Sequence, residues 1–151
     1  MIKSLIKNNI NYLIRLNYLM NSFYYPTPEK IIEYNLLMLS VLKIKKADKH
    51  ELLSYQKLKT IIESCKAKEG DTYDKAVSLL KGLIQGHVFA SGNRRTAFIS
   101  VKDFVISNKE RFRIKDHALQ AKIMTGIREG YYEDNEIKEW IKNGKIREFK
   151  R

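Results

Sequence analysis

Apolar residues recur at helical spacing from one end of this chain to the other. No stretch alternates apolar and polar positions between hairpin turn residues, so the pattern predicts an all-α protein. From Met1 to Leu19 polar residues interrupt Ile and Leu every few positions. That spacing predicts an amphipathic helix and lacks the continuous apolar core of a secretory signal. Thr27-Pro28 places a cap before a proline at the first helical position, and Ile32, Leu36, Leu39 and Lys43 trace one face of a helix from Pro28 to about Leu42. Asp48 and Glu51 have the spacing of an acidic capping box. They are expected to open a helical region, as one helix or two short ones, that ends near Lys68 before Gly70.

The strongest stripes follow. Asp71 is placed to cap a helix in which Tyr73, Ala76, Val77, Leu80, Leu83 and Ile84 form an apolar face wide enough for a buried central helix, ended by Gly86 and His87. Asn93 is placed to cap a second, whose Ala97, Val101, Phe104 and Val105 face the core. This pair is expected at the heart of the fold. Asp116 to Ile127 and Asn135 to Lys142 read as two further helices, the last carrying Ile137, Trp140 and Ile141 and stopped by Asn143-Gly144. No internal repeat or low-complexity linker divides the chain. The expected organisation is an N-terminal helical extension over residues 1–24, one domain over 25–144, and a basic tail over 145–151.

Composition narrows the function classes. A chain of 151 residues can bury roughly 70% of its unfolded surface, enough for a core without metal or crosslink. Lys and Arg number 29 against 17 acids, a net charge of +12 that implies attraction to polyanions such as nucleotides, nucleic acid or acidic protein surfaces. The lysines are spread along the chain with no recognised nucleic-acid motif, which makes nucleic acid a third choice of partner. One cysteine, Cys65, excludes an internal disulfide and CxxC chemistry, and is expected to pack or be merely tolerated. No apolar run approaches the roughly 20 residues of a membrane span, so a soluble, cytoplasmic protein with no membrane partner is expected.

The chemistry concentrates in residues 87–97, His-Val-Phe-Ala-Ser-Gly-Asn-Arg-Arg-Thr-Ala. His87 precedes a Gly92-Asn93 turn into a helix whose first residues include Arg94 and Arg95. A histidine titrates near neutrality and can take a proton from a hydroxyl, while a helix start with two arginines can hold a polyanion. His50 and His117 have no such company and are read as surface residues. The run resembles the Fic/Doc signature HxFx(D/E)(G/A)N(G/K)R, and most closely its Doc (death-on-curing) branch, where Thr-Ala also follows. Identities at His87, Phe89, Gly92, Asn93 and Arg95 arise by chance on the order of once in a few million starting positions. The resemblance is strong over Asp71 to Asn108, weaker to about Trp140, and absent upstream of Tyr25, so Met20 is an alternative start to Met1.

The resemblance implies a compact helical bundle with the signature loop between two central helices. It also implies a transferase that moves a phosphoryl group, or secondarily AMP, from ATP or another nucleoside triphosphate to a protein hydroxyl, with a translation factor among the family's targets and an antitoxin as partner. His87 takes the position of the general base and Phe89 that of the loop anchor. Gly92, Asn93, Arg94 and Arg95 take the nucleotide-phosphate positions, Asn93 serving as phosphate donor in preference to helix cap. Arg94 stands where AMP-transferring members carry Gly and the Doc branch carries Lys, and Phe98 replaces an arginine that AMP-transferring members repeat. Both favour phosphate transfer. Ser91 occupies the family's acidic, Mg²⁺-holding position. Three readings stay open: Ser91 ligates through water, another carboxylate enters the site, or the chain is a nucleotide- or anion-binding module without turnover. Thr125 to Gly130 matches the family's loose autoinhibitory pattern with Glu129 as the acid. Phe98 removes that glutamate's usual arginine partner, so the segment is read as a helix end and its turn.

Overall fold

The computed structural model describes residues 2–41, 50–116 and 119–150, apart from the side chains of residues 17–21. The described residues form seven α-helices: α1 Ile2–Asn21, α2 Pro28–Val41, α3 Tyr55–Ala67, α4 Thr72–Gln85, α5 Asn93–Ser107, α6 Leu119–Arg128 and α7 Asp134–Asn143. The all-α expectation holds. No helix among the described residues is long and apolar enough to cross a membrane.

α4 is the axis of the bundle, packing against α3, α5, α6 and α7, while α2 lies across α5 and α3. Its sequence explains the position. All six residues of the predicted stripe are buried, and so are Thr72, Lys75 and Leu79, so the helix is enclosed on most of its circumference. Asp71 starts it with a reciprocal capping box to Asp74, and Lys138 of α7 bonds the Asp74 carboxylate at 2.9 Å. Lys75 is accommodated because its ammonium donates to the carbonyls of Lys66 (3.0 Å) and Lys68 (2.6 Å) at the end of α3. Terminal helix carbonyls lack intrahelical partners and carry the negative end of the dipole, so a buried cation is satisfied there.

Cys65 sits in the same seam. Its side chain is fully buried and its thiol donates to the Lys75 carbonyl at 3.4 Å. Burial pushes the thiol up to about 11. At pH 8 the native protein should therefore resist iodoacetamide and react at full stoichiometry in denaturant. Rapid native labelling, followed by mass spectrometry, would contradict this packing.

Three expectations need correction. α2 buries Ile31, Asn35 and Leu39, whereas Leu36 is half exposed and Lys43 lies outside the described residues. The helix is rotated from the predicted face because Asn35 has buried polar partners that an aliphatic residue could not satisfy. α3 starts at Tyr55, capped by the Ser54 hydroxyl on the Lys57 N–H. Asp48 lies outside the described residues, and Glu51 belongs to an extended segment paired with the loop after α4. Residues 145–150 pack back on the fold: Phe149 is buried against Tyr131, and Arg147 pairs with Glu136. The apolar ring of Phe149 offsets the basic composition that predicted a tail. In α1 the apolar side chains Ile2, Leu5, Ile6 and Leu13 are exposed.

Candidate functional site

The loop between α4 and α5 is held from three sides. Its buried side chains Val88 and Phe89 enter the core. Its backbone pairs with the extended segment before α3: Leu53 N–H donates to Val88 O at 2.8 Å and Ala90 N–H to Glu51 O at 2.9 Å, around an isolated antiparallel bridge between Leu52 and Phe89. Asn93 then closes the loop on itself. Its amide accepts from Phe89 N–H at 3.0 Å and donates to Phe89 O at 2.7 Å. The expected helix cap is not Asn93, which is the first residue of α5. The N-cap is Gly92, with no side-chain cap bond. A side chain that satisfies both polar groups of Phe89 is not turned back on its own helix, so Asn93 acts as a clamp on the loop.

Asn35 is the third support and was not singled out by the sequence reading. Fully buried, its Nδ2 donates to Ser91 O (2.9 Å) and Thr96 Oγ1 (3.0 Å), while its Oδ1 lies 2.8 Å from His50 Nδ1. A carbonyl can only accept, so the amide must turn its NH₂ toward Ser91. Asn35 Oδ1 is then an acceptor, and His50 Nδ1 carries the proton. His50 is exposed as expected, yet it completes this network. The Ser91–Gly92 peptide is thereby oriented, with its carbonyl toward α2 and the Gly92 N–H pointing the opposite way. Gly92 has φ +78°, and a Cβ on it would come within 3.1 Å of Leu39 and 3.2 Å of Asn35. The left-handed backbone favours glycine here, and a Cβ would also make Leu39 and Asn35 of α2 give way by a few tenths of an ångström.

These supports shape one side of a cavity of about 680 Å³. His87, Ser91, Gly92, Asn93, Arg94 and Arg95 all line it; the predicted residues are brought together, with Phe89 buried in the core cluster. Met38, Ile84, Phe98, Ile99 and Met124 supply apolar wall. His87 is exposed, with φ +50°, an uncommon conformation that histidine tolerates better than most residues. Arg94 reaches α6, where its guanidinium donates to Thr125 Oγ1 at 2.8 Å. Thr125 to Gly130 is the helix end and turn expected, with Gly130 N–H on Ile127 O. Phe98 packs edge-on to Phe112.

Charge is the other property of the cavity. Among the described residues, Arg94, Arg95, Lys102 and Arg128 line it against a single carboxylate, Asp116. Cations in the first turn of α5 oppose the helix dipole, so an anion in the cavity would relieve the repulsion. Lys102 was recoverable in principle, since 94, 98 and 102 share a helix face. Arg128 carried no local signal.

The Mg²⁺ of the Fic/Doc resemblance fits these residues poorly. Ser91 offers a neutral hydroxyl at the acidic position, and among the described residues no three His, Cys, Asp or Glu side chains cluster to hold a metal. Four cations in the lining add repulsion. No family model matches the chain, and no curated protein matches it.

Proposed function

We propose that this chain is a Fic/Doc-like transferase, moving the γ-phosphoryl group of ATP or another nucleoside triphosphate to the hydroxyl of a target protein. The observation that carries the reading is the convergence of four cationic side chains and the start of α5 on one cavity beside an exposed histidine. His87 accepts the hydroxyl proton as the oxygen bonds to the γ-phosphorus. The bond to the bridging oxygen breaks, and the nucleoside diphosphate leaves with that electron pair. Backbone N–H groups at the start of α5 and the Arg95 guanidinium bind phosphate oxygens. Asn93 holds the loop that presents them. His87 is reachable by a macromolecular substrate because it is exposed.

Phosphoryl transfer is preferred to AMP transfer because Arg94 and Phe98 replace the residues found in AMP-transferring relatives. Purified protein incubated with cell extract should label a protein from γ-labelled ATP and not from α-labelled ATP. The reverse preference would place it with AMP transferases. In the Doc branch such an enzyme is a toxin, and a small antitoxin would be its partner.

Ser91 favours a second reading, a nucleotide- or anion-binding module in the cytoplasm that lacks turnover. It would bind ATP in the same cavity and transfer no label from either position.

A further inference from the structure

The conflict between the cavity and a bound Mg²⁺ has a constructive solution. We propose that the site takes its polyphosphate without a divalent cation, Arg128 supplying positive charge opposite the signature loop. The inference rests on the nucleotide reading above and deepens it.

Arg128 belongs to the loop end of the cavity. α6 meets the first turn of α5 where Thr125 accepts from Arg94, and it meets the end of α4 where Gln85 Nε2 donates to Ile127 O at 3.0 Å. Arg128 follows Ile127 directly and lines the same cavity as His87, Arg94 and Arg95. An anion held at the start of α5 therefore has two arginines on one side and a third from α6. Guanidinium groups bind phosphate oxygens through two parallel hydrogen bonds and keep their charge at any physiological pH. The carboxylate of the lining, Asp116, enters from the segment before α6 and is outnumbered by the four cations. Lys102 adds positive charge from α5; side chains lean toward the helix N-terminus, which inclines it toward Phe98 and the arginines. A divalent cation entering this cavity would meet three guanidinium groups and the Lys102 ammonium against one carboxylate, Asp116, and the neutral Ser91 hydroxyl. A polyphosphate would meet complementary charge without it.

Calorimetry with ATP and with inorganic tripolyphosphate, each in excess EDTA and in Mg²⁺, tests this. The wild-type protein should bind both probes in EDTA, with no gain in affinity on adding Mg²⁺. Arg128→Gln should weaken binding in EDTA by about tenfold, the loss of one charge-assisted contact. Arg128 is exposed, so the variant should fold, as its melting temperature will verify. ATP binding that disappears in EDTA and returns with Mg²⁺ would overturn the inference, as would an unchanged affinity in Arg128→Gln. Tripolyphosphate binding in EDTA with no binding of any nucleotide would sustain the metal-free site and sink the nucleotide reading. Absence of both, in either condition, would remove the two together.

Discussion

Replacement of His87 should reduce transfer of γ-label to the target protein by about 10²- to 10⁴-fold, the range a general base contributes, while ATP affinity changes little. The choice of substitution matters because His87 has φ +50°. Alanine removes the imidazole but is strained in that conformation, so His87→Ala can lose activity through a shifted loop as well as through chemistry. Asparagine enters the left-handed region more readily and cannot serve as a base near neutral pH. His87→Asn should therefore melt with the wild-type protein, bind ATP as well, and still fail to transfer. Labelling that persists in His87→Asn would take the histidine out of the mechanism. Lost labelling together with lost ATP binding would mean that residue 87 shapes the loop and performs no proton transfer.

The central pair of helices was legible because periodicity and capping agree there. Every apolar position predicted to face the core in α4 and α5 is buried, and Asp71 forms the cap its position suggests. The rotation of α2 was not legible. Asn35 reads as a polar interruption of an apolar stripe, and only its partners on other elements, Ser91, Thr96 and His50, reveal why that face turns inward. The start of α3 was misread for a related reason. Glu51 has capping-box spacing from Asp48, but its carbonyl is used by Ala90, and a long-range backbone bond of this kind leaves no local trace. Within the site, motif spacing located the residues from His87 to Arg95, since they are contiguous. It left Asn93 with two roles, phosphate donor and helix cap, and only the cap is replaced by the clamp on Phe89, because a residue at a helix start can serve either the helix or the loop before it. Arg128 arrives from a different helix through the packing of α6, and no spacing rule could have selected it from the chain's many basic residues.

Phe89→Ala should destabilise the fold by about 3–5 kcal/mol, the usual cost of truncating a buried phenylalanine, and abolish ATP binding even where the protein remains folded. The ring is 1% exposed, so the substitution leaves a cavity in the core. Its backbone is equally committed: N–H and carbonyl both bond the Asn93 amide, and the residue bridges Leu52. Loss of the ring thus frees the point at which the extended segment and the clamp meet. The orientation of the Gly92 N–H and of Arg94 and Arg95 depends on that point. Phe89→Leu, which refills much of the volume, should recover most of the stability and part of the affinity. Urea denaturation and calorimetry on the three proteins separate the possibilities. A destabilisation below about 1 kcal/mol, far short of the expected cavity cost, would show that the ring is not an anchor. A full loss of stability with ATP affinity intact under native conditions would show that Asn35 and Asn93 hold the binding geometry without it.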